Sequence, residues 1–235
     1  MIGEEDAEGF ATKLAGATER VVHDYGLEDV VHEEPFSDQL CGRLKETLQE
    51  FETPRVRWQV DVAMAGRGSG RFYARSLSKY DEEPRFGADL VMVLDIDLPD
   101  YSVRKGFIAQ AKRLGSGEEL DGSNREKLLE QCRRMVSFTP ASLVLLYSRH
   151  GVHPVSATAV LAARGYNLYS LETYSTAIMY RDFAICWLGD QRIQATDRAS
   201  LDALRQLIDA EGAVRIQGRA RKSKVRLRPR PPFTE

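Results

Sequence analysis

The sequence predicts an α/β protein in which a mixed central sheet is flanked by helices, with a helical extension toward the C-terminus. Three observations lead there. Helix-like and strand-like segments alternate along the chain. The helical ones place apolar residues three and four apart, whereas the strand-like ones alternate or run wholly apolar. Glycine- and proline-rich breaks separate them. With 235 residues, 43% of them hydrophobic and 29% charged, the chain can bury a sizeable core.

Residues 1–33 read as an acidic lead-in, with a short helix over 11–22. Pro35 is suited to the first turn of the next helix, with Glu34 near its cap and Asp38 in its first turn. Leu40, Leu44, Leu48 and Phe51 form one apolar stripe, giving a helix over 36–52 that Pro54 ends. Residues 56–62 alternate apolar and polar and predict a strand with one buried face. Gly66-Arg67-Gly68-Ser69-Gly70 marks a loop that continues through the charged segment 79–84. A second strand is expected at 88–96 and a third at 106–112, joined through Pro99-Asp100 as a hairpin. Gly115-Ser116-Gly117 breaks the chain again. A helix then runs over 125–138, with Leu128, Leu129, Cys132, Met135 and Val136 on its apolar side. Residues 143–147 are wholly apolar, as befits a central strand of a covered sheet. Beyond it, 156–164 and 199–210 read as helices, and 171–188 mixes helix and strand signals. The expected organisation is a lead-in (1–33), a core (34–150), an extension of the same domain (151–212) and a basic tail (213–235).

Charge is unevenly spread. Residues 1–52 hold fourteen acidic and four basic side chains, while 212–232 hold eight basic and no acidic ones. Such a tail suits a polyanion, or serves as a solvated segment. No run of about 18 apolar residues occurs, so no membrane-spanning helix is expected. The start, Met1-Ile2-Gly3-Glu4, lacks the basic and apolar pattern of a secretory signal. Cys41, Cys132 and Cys186 are far apart and odd in number, which fits a reduced, cytoplasmic protein.

Three residues carry the chemistry. Asp89 follows Gly87-Ala88 at the start of an apolar strand. Gln110 and Lys112 lie two apart on the next strand and therefore share a face. A lysine in the apolar setting Phe107-Ile108-Ala109-Gln110-Ala111-Lys112 is costly to bury unless a site pairs or solvates it. The alternatives are a strand-end turn acid for Asp89 and the polar side of an edge strand for Gln110 and Lys112. In a hairpin the three can meet at one end. A carboxylate such as Asp89 can hold Mg²⁺, with the Gln110 amide oxygen and the Ala111 carbonyl completing the protein side. Lys112 can then position a water or stabilise charge on a phosphate. Glutamine brings no charge, so it binds a cation less tightly than glutamate would.

Gly87-Ala88-Asp89 followed by Gln110-Ala111-Lys112, in the order helix, strand, strand, strand, helix, strand, resembles the PD-(D/E)xK restriction-endonuclease-like nucleases. The glutamine form is similar to that of the Mrr group. The resemblance covers residues 34–148. It implies an αβββαβ core and an Mg²⁺- or Mn²⁺-dependent endodeoxyribonuclease. Its metal ligands would be Asp89 and Gln110, with Lys112 as the catalytic lysine and a first-helix acid as further ligand. Glu34 is the preferred acid and Glu33 an alternative; Glu46 projects away from the Leu stripe. Gln131-Cys132-Arg133-Arg134-Met135 is similar to the QxxxY helix motif of the RecB-like branch, with methionine in place of tyrosine. It makes Gln131 a supporting residue or a solvated helix position.

Other patterns carry less. His150 and His153 lack Cys or His partners and read as a loop pair near a strand end. The glycine-rich segment 66–70 is not followed by the lysine of a phosphate loop. Tyr166, Tyr169, Tyr174 and Tyr180 read as packing residues. The expected function is DNA cleavage in restriction or anti-phage defence, the choice between DNA and RNA being left open by the sequence, with a homodimer and a regulatory protein as candidate partners and no membrane. The alternatives are a non-catalytic nucleic-acid-binding module on a nuclease-like fold and a protein adaptor using the basic tail.

Overall fold

The stripe of Leu40, Leu44 and Leu48 is buried on a helix, each leucine essentially without solvent contact. Burial of this kind is worth about 1.5–3 kcal/mol per side chain. The structure, a computed structural model, describes residues 2–24, 33–49, 51–65, 86–114, 122–148, 150–163, 171 and 173–221, without the side chains of 24, 33–35, 122 and 123. In chain order the elements are α1 (Glu4–Asp24), α2 (Glu33–Leu48), β1 (Val56–Met64), β2 (Leu90–Leu98), β3 (Tyr101–Arg113), α3 (Gly122–Phe138), β4 (Ser142–Ser148), β5 (Gly151–Ser156), α4 (Ala157–Ala162), α5 (Thr176–Ala184), α6 (Arg198–Ile208) and β6 (Gly212–Ala220).

The strands form one six-stranded mixed sheet in the order β1-β6-β2-β3-β4-β5. β2 and β3 make the expected antiparallel hairpin, with Leu90 opposite Ala109 and Leu98 opposite Tyr101. β4 returns parallel to β3 after α3, and β5 folds back antiparallel on β4. Strand alternation divides the core in two. Leu90, Met92, Leu94, Phe107, Ala109 and Ala111 face a layer made by α1, α2 and α5. Val91, Val93 and Ile108 face a layer made by α3, α4 and α6.

Three expectations are corrected. The segment 4–24 is part of the core and not a lead-in to it. α1 buries Ala7, Phe10, Leu14, Ala17 and Val21, and the Phe10 ring lies 4.4 Å from that of Trp58. Its acidic residues sit among apolar ones at helical spacing, which disguises the stripe. The extension after 150 is not only helical, because β5 and β6 both belong to the sheet. The basic tail does not begin at 213. Val214 and Ile216 are buried while Arg215, Gln217 and Arg219 point to the other face, which is the signature of a strand. Residues 222–235 lie outside the described set. The helix–strand–strand–strand–helix–strand order is followed by α2, β1, β2, β3, α3 and β4. The sheet itself is not contiguous in that order, because β6 lies between β1 and β2, antiparallel to one and parallel to the other.

Candidate active site

The hairpin register sets Asp89 and the segment 110–112 at the same end of the sheet. Asp89 is pinned from both sides: its N–H donates to the Ala109 carbonyl (2.9 Å) and its carbonyl accepts from Gly212 N–H (3.0 Å). Asp89 Oδ2 accepts from Gln110 Nε2 (2.6 Å) and from the Ala111 backbone N–H (2.9 Å). Gln110 Nε2 also donates to the Ala111 carbonyl (3.1 Å). The amide nitrogen therefore sits between a carboxylate oxygen and a backbone carbonyl.

The other end of that amide is the anomaly. Gln110 is 1% exposed, and its Oε1 is buried without a hydrogen-bond partner among the described residues. An unsatisfied buried acceptor costs about 1–3 kcal/mol. A half-turn of the amide exchanges Nε2 for Oε1, since the two ends have nearly the same shape. Asp89 Oδ2, Ala111 O and Gln110 Oε1 are then three oxygen donors in one neighbourhood, the donor chemistry Mg²⁺ and Mn²⁺ prefer. The residues present thus fit a hard divalent cation, with one formal negative charge from Asp89. Among the described residues no group of three or more His, Cys, Asp or Glu side chains is arranged to hold a metal.

Lys112 follows two residues after Gln110 and shares its face, level with Leu146 of β4, and is partly exposed. The structure thus brings Asp89, Gln110 and Lys112 to one end of one face. Gly87, just before Asp89, has φ +69° and lies against α3: a Cβ there would fall 2.8 Å from Gln131 Cα. Only glycine combines that backbone with that approach. Gly87 is two residues from Asp89, so Gln131 packs beside the segment that leads into it.

Glu33 and Glu34 occupy the first turn of α2, and their side chains lie outside the described residues. α2 packs on the opposite face of the sheet but begins at the same end: Phe36 stacks on Tyr147 (4.4 Å, 8° between planes), and Tyr147 is level with Arg113. Glu46 stands about 18 Å further along the helix, at 1.5 Å per residue. It is exposed and pairs with Arg43 at 3.4 Å.

His153 belongs to β5, opposite Leu146. Tyr180 is fully buried and its hydroxyl shares a hydrogen bond with Thr18 (2.8 Å), a packing role as expected, whereas Tyr174 is exposed. Tyr166, Tyr169 and the segment 66–70 lie outside the described residues. All three cysteines are free; burial pushes the Cys132 thiol up to about 12 and Cys41 higher still, the latter helped by Asp38.

At the far end of the same face a charged cluster replaces the apolar core. Arg215 bridges Asp61 (2.9 Å) and Asp95, and Arg219 and Arg104 also reach Asp95 (2.9 and 3.2 Å). Burial pushes the Asp95 carboxyl upward, but Arg219, Arg215 and Arg104 outweigh it and hold the group below the usual carboxylate range. Next to the cluster, Arg55, Arg57, Arg219 and Arg221 line a cleft together with Glu52 and Asp100. Sequence reasoning missed this arrangement, and it missed that Glu211, the residue before β6, comes level with Asp89. The alternation from Val214 to Arg219 was the available signal, hidden within an apparent basic tail. No protein family, curated protein or solved structure matches the chain.

Proposed function

We propose that this protein is a metal-dependent nuclease that hydrolyses DNA phosphodiester bonds, acting in restriction or anti-phage defence. The observation that carries the reading is the meeting of the Asp89 carboxylate, the buried and half-satisfied Gln110 amide, the Ala111 carbonyl and Lys112 at one end of the β2–β3 hairpin. The defence role rests on the resemblance of the GAD and QAK segments to the Mrr group. Asp89, Gln110 and Ala111 would hold Mg²⁺ or Mn²⁺, with Glu34 as a further acid from α2. Such an ion supplies Lewis acidity toward the phosphate and lowers the pKa of a bound water. Lys112 brings an ammonium to the same face, where it orients the attacking water and offsets negative charge that builds on the phosphate oxygens. The run of lysines and arginines in the sequence after β6 favours a phosphate backbone as partner. Cutting both strands of a duplex calls for two such centres, which a homodimer would supply.

The test is a cleavage assay on single- and double-stranded DNA and RNA with Mg²⁺, Mn²⁺ or EDTA. Metal-dependent cleavage that vanishes in Asp89→Ala and Lys112→Ala is expected. Failure to cut any substrate with either metal refutes the enzyme reading. One observation favours the second reading, a non-catalytic nucleic-acid-binding module: Gln110 Nε2 already bonds both oxygens that a cation would use. That reading predicts salt-dependent binding without cleavage, unchanged by Lys112→Ala.

A further inference from the structure

β6 joins the sheet beside Asp89. Gly212 is level with Leu90 on one side and with Met64 on the other. Gly212 N–H donates to the Asp89 carbonyl (3.0 Å), and Ala65 N–H donates to the Glu211 carbonyl (2.9 Å). Glu211, the residue before β6, is therefore the neighbour of Asp89 on that side, at the strand spacing of about 4.8 Å.

Alternation sets the face. Val91 and Ala213 both belong to the core beneath α3, α4 and α6. Two residues before each of them stand Asp89 and Glu211, and a Cβ on the intervening Gly212 would meet Cys41 Sγ of α2, on the opposite face. Gln110 and Lys112 share that face of β3 with Ile108. The register of three adjacent strands thus brings Glu211, Asp89, Gln110 and Lys112 to one end of the sheet.

The backbone carrying Glu211 is held firmly. Asp209 caps α6 in the left-handed conformation (φ 60°), Ala210 N–H donates to the Arg205 carbonyl (3.0 Å), and the Arg205 guanidinium donates to the Ala210 carbonyl (3.0 Å). The Glu211 side chain is partly exposed, and no described residue forms a hydrogen bond or ion pair with its carboxylate. Independently, the Gln110 Oε1 in the same group is buried and unpartnered.

We infer that Glu211 is a further acidic ligand of a divalent cation at the Asp89 site. It contributes directly or through one of the waters that Mg²⁺ and Mn²⁺ retain. It supplies the second negative charge that the neutral Gln110 does not. The inference rests on the metal-dependent reading above and adds a ligand from a strand outside the αβββαβ order.

The test is calorimetric titration of Mn²⁺ into the full chain, without nucleic acid, for wild type, Glu211→Gln, Glu211→Asp and Asp89→Asn. The expected result is Mn²⁺ binding by wild type, weakened about tenfold or more in Glu211→Gln and partly restored in Glu211→Asp, with melting temperatures in EDTA unchanged. Wild-type affinity in Glu211→Gln, alongside loss of binding in Asp89→Asn, overturns the role of Glu211 and leaves the nuclease reading standing. No Mn²⁺ binding by wild type overturns both.

Discussion

Replacing Gln110 by glutamate probes the site most directly. The amide now donates to Asp89 Oδ2 at 2.6 Å and to the Ala111 carbonyl at 3.1 Å, inside a position that is 1% exposed. Glutamate removes both donations and sets a second carboxylate against the first. Two like charges about 4 Å apart repel by ~4 kcal/mol at an effective dielectric of about 20. Protonation limits this: keeping the new carboxyl neutral at pH 7, against an ordinary value of about 4.3, costs about 3.7 kcal/mol. The expected loss is therefore about 2–4 kcal/mol in EDTA, or about 5–15 °C in melting temperature for a chain of this size. The sign with pH follows. A carboxyl whose folded pKa is raised costs nothing below its unfolded value and loses stability as pH rises toward the folded value. Q110E should thus be much weaker at pH 8 than at pH 5, relative to wild type. Mn²⁺ should reverse the deficit, since a ligand at a hundred times its Kd adds about 2.7 kcal/mol. The assay is thermal denaturation at both pH values with EDTA or Mn²⁺. A variant that melts with wild type in EDTA at pH 8 and gains nothing from Mn²⁺ refutes the cation seat.

Asp95→Asn should cost about 1.5–3 kcal/mol in urea denaturation, because Arg215, 5% exposed, is left with Asp61 as its ionic partner. The Asp95 carboxyl is depressed in the fold, so its contribution is present above the ordinary value of about 3.9 and is lost as pH falls through the folded one; the variant should show a flatter acid limb. Gly87→Ala meets both a positive φ and Gln131 at 2.8 Å, and a drop of more than about 1 kcal/mol is expected by the same measurement. Deleting residues 222–235 removes five lysines and arginines. It should lower DNA affinity uniformly across sequences and flatten its salt dependence in fluorescence anisotropy.

What could be read from the sequence was what neighbouring residues decide. The leucine stripe of α2, the β2–β3 hairpin and the shared face of Gln110 and Lys112 all follow from local periodicity. They set Asp89 within reach of Gln110 without knowledge of the rest of the sheet. The pairing of Leu90 with Gly212 is different in kind. It joins distant segments, and nothing near residue 212 announces which strand it will meet. Its arginines argue for solvent until Asp61 and Asp95 are seen to receive Arg215. Glu211 was invisible for the same reason. α1 was misjudged because the acidic residues of its solvent face outweighed a stripe of small and aromatic residues in the composition of the segment.

The insertion of β6 between β1 and β2 orders events during synthesis. Until residues 212–220 have left the ribosome, β1 and β2 lack the strand that joins them, and each presents an unpaired edge. β2, β3 and β4 can pair earlier, since their partners are close in the chain. Glu211 and the hydrogen bond from Gly212 to Asp89 arrive last. A nascent or prematurely ended chain would thus hold the hairpin with Asp89 and Lys112 yet lack the strand that pins it. The end of the hairpin that carries Asp89 would thus be fixed only after β6 has emerged and paired with it.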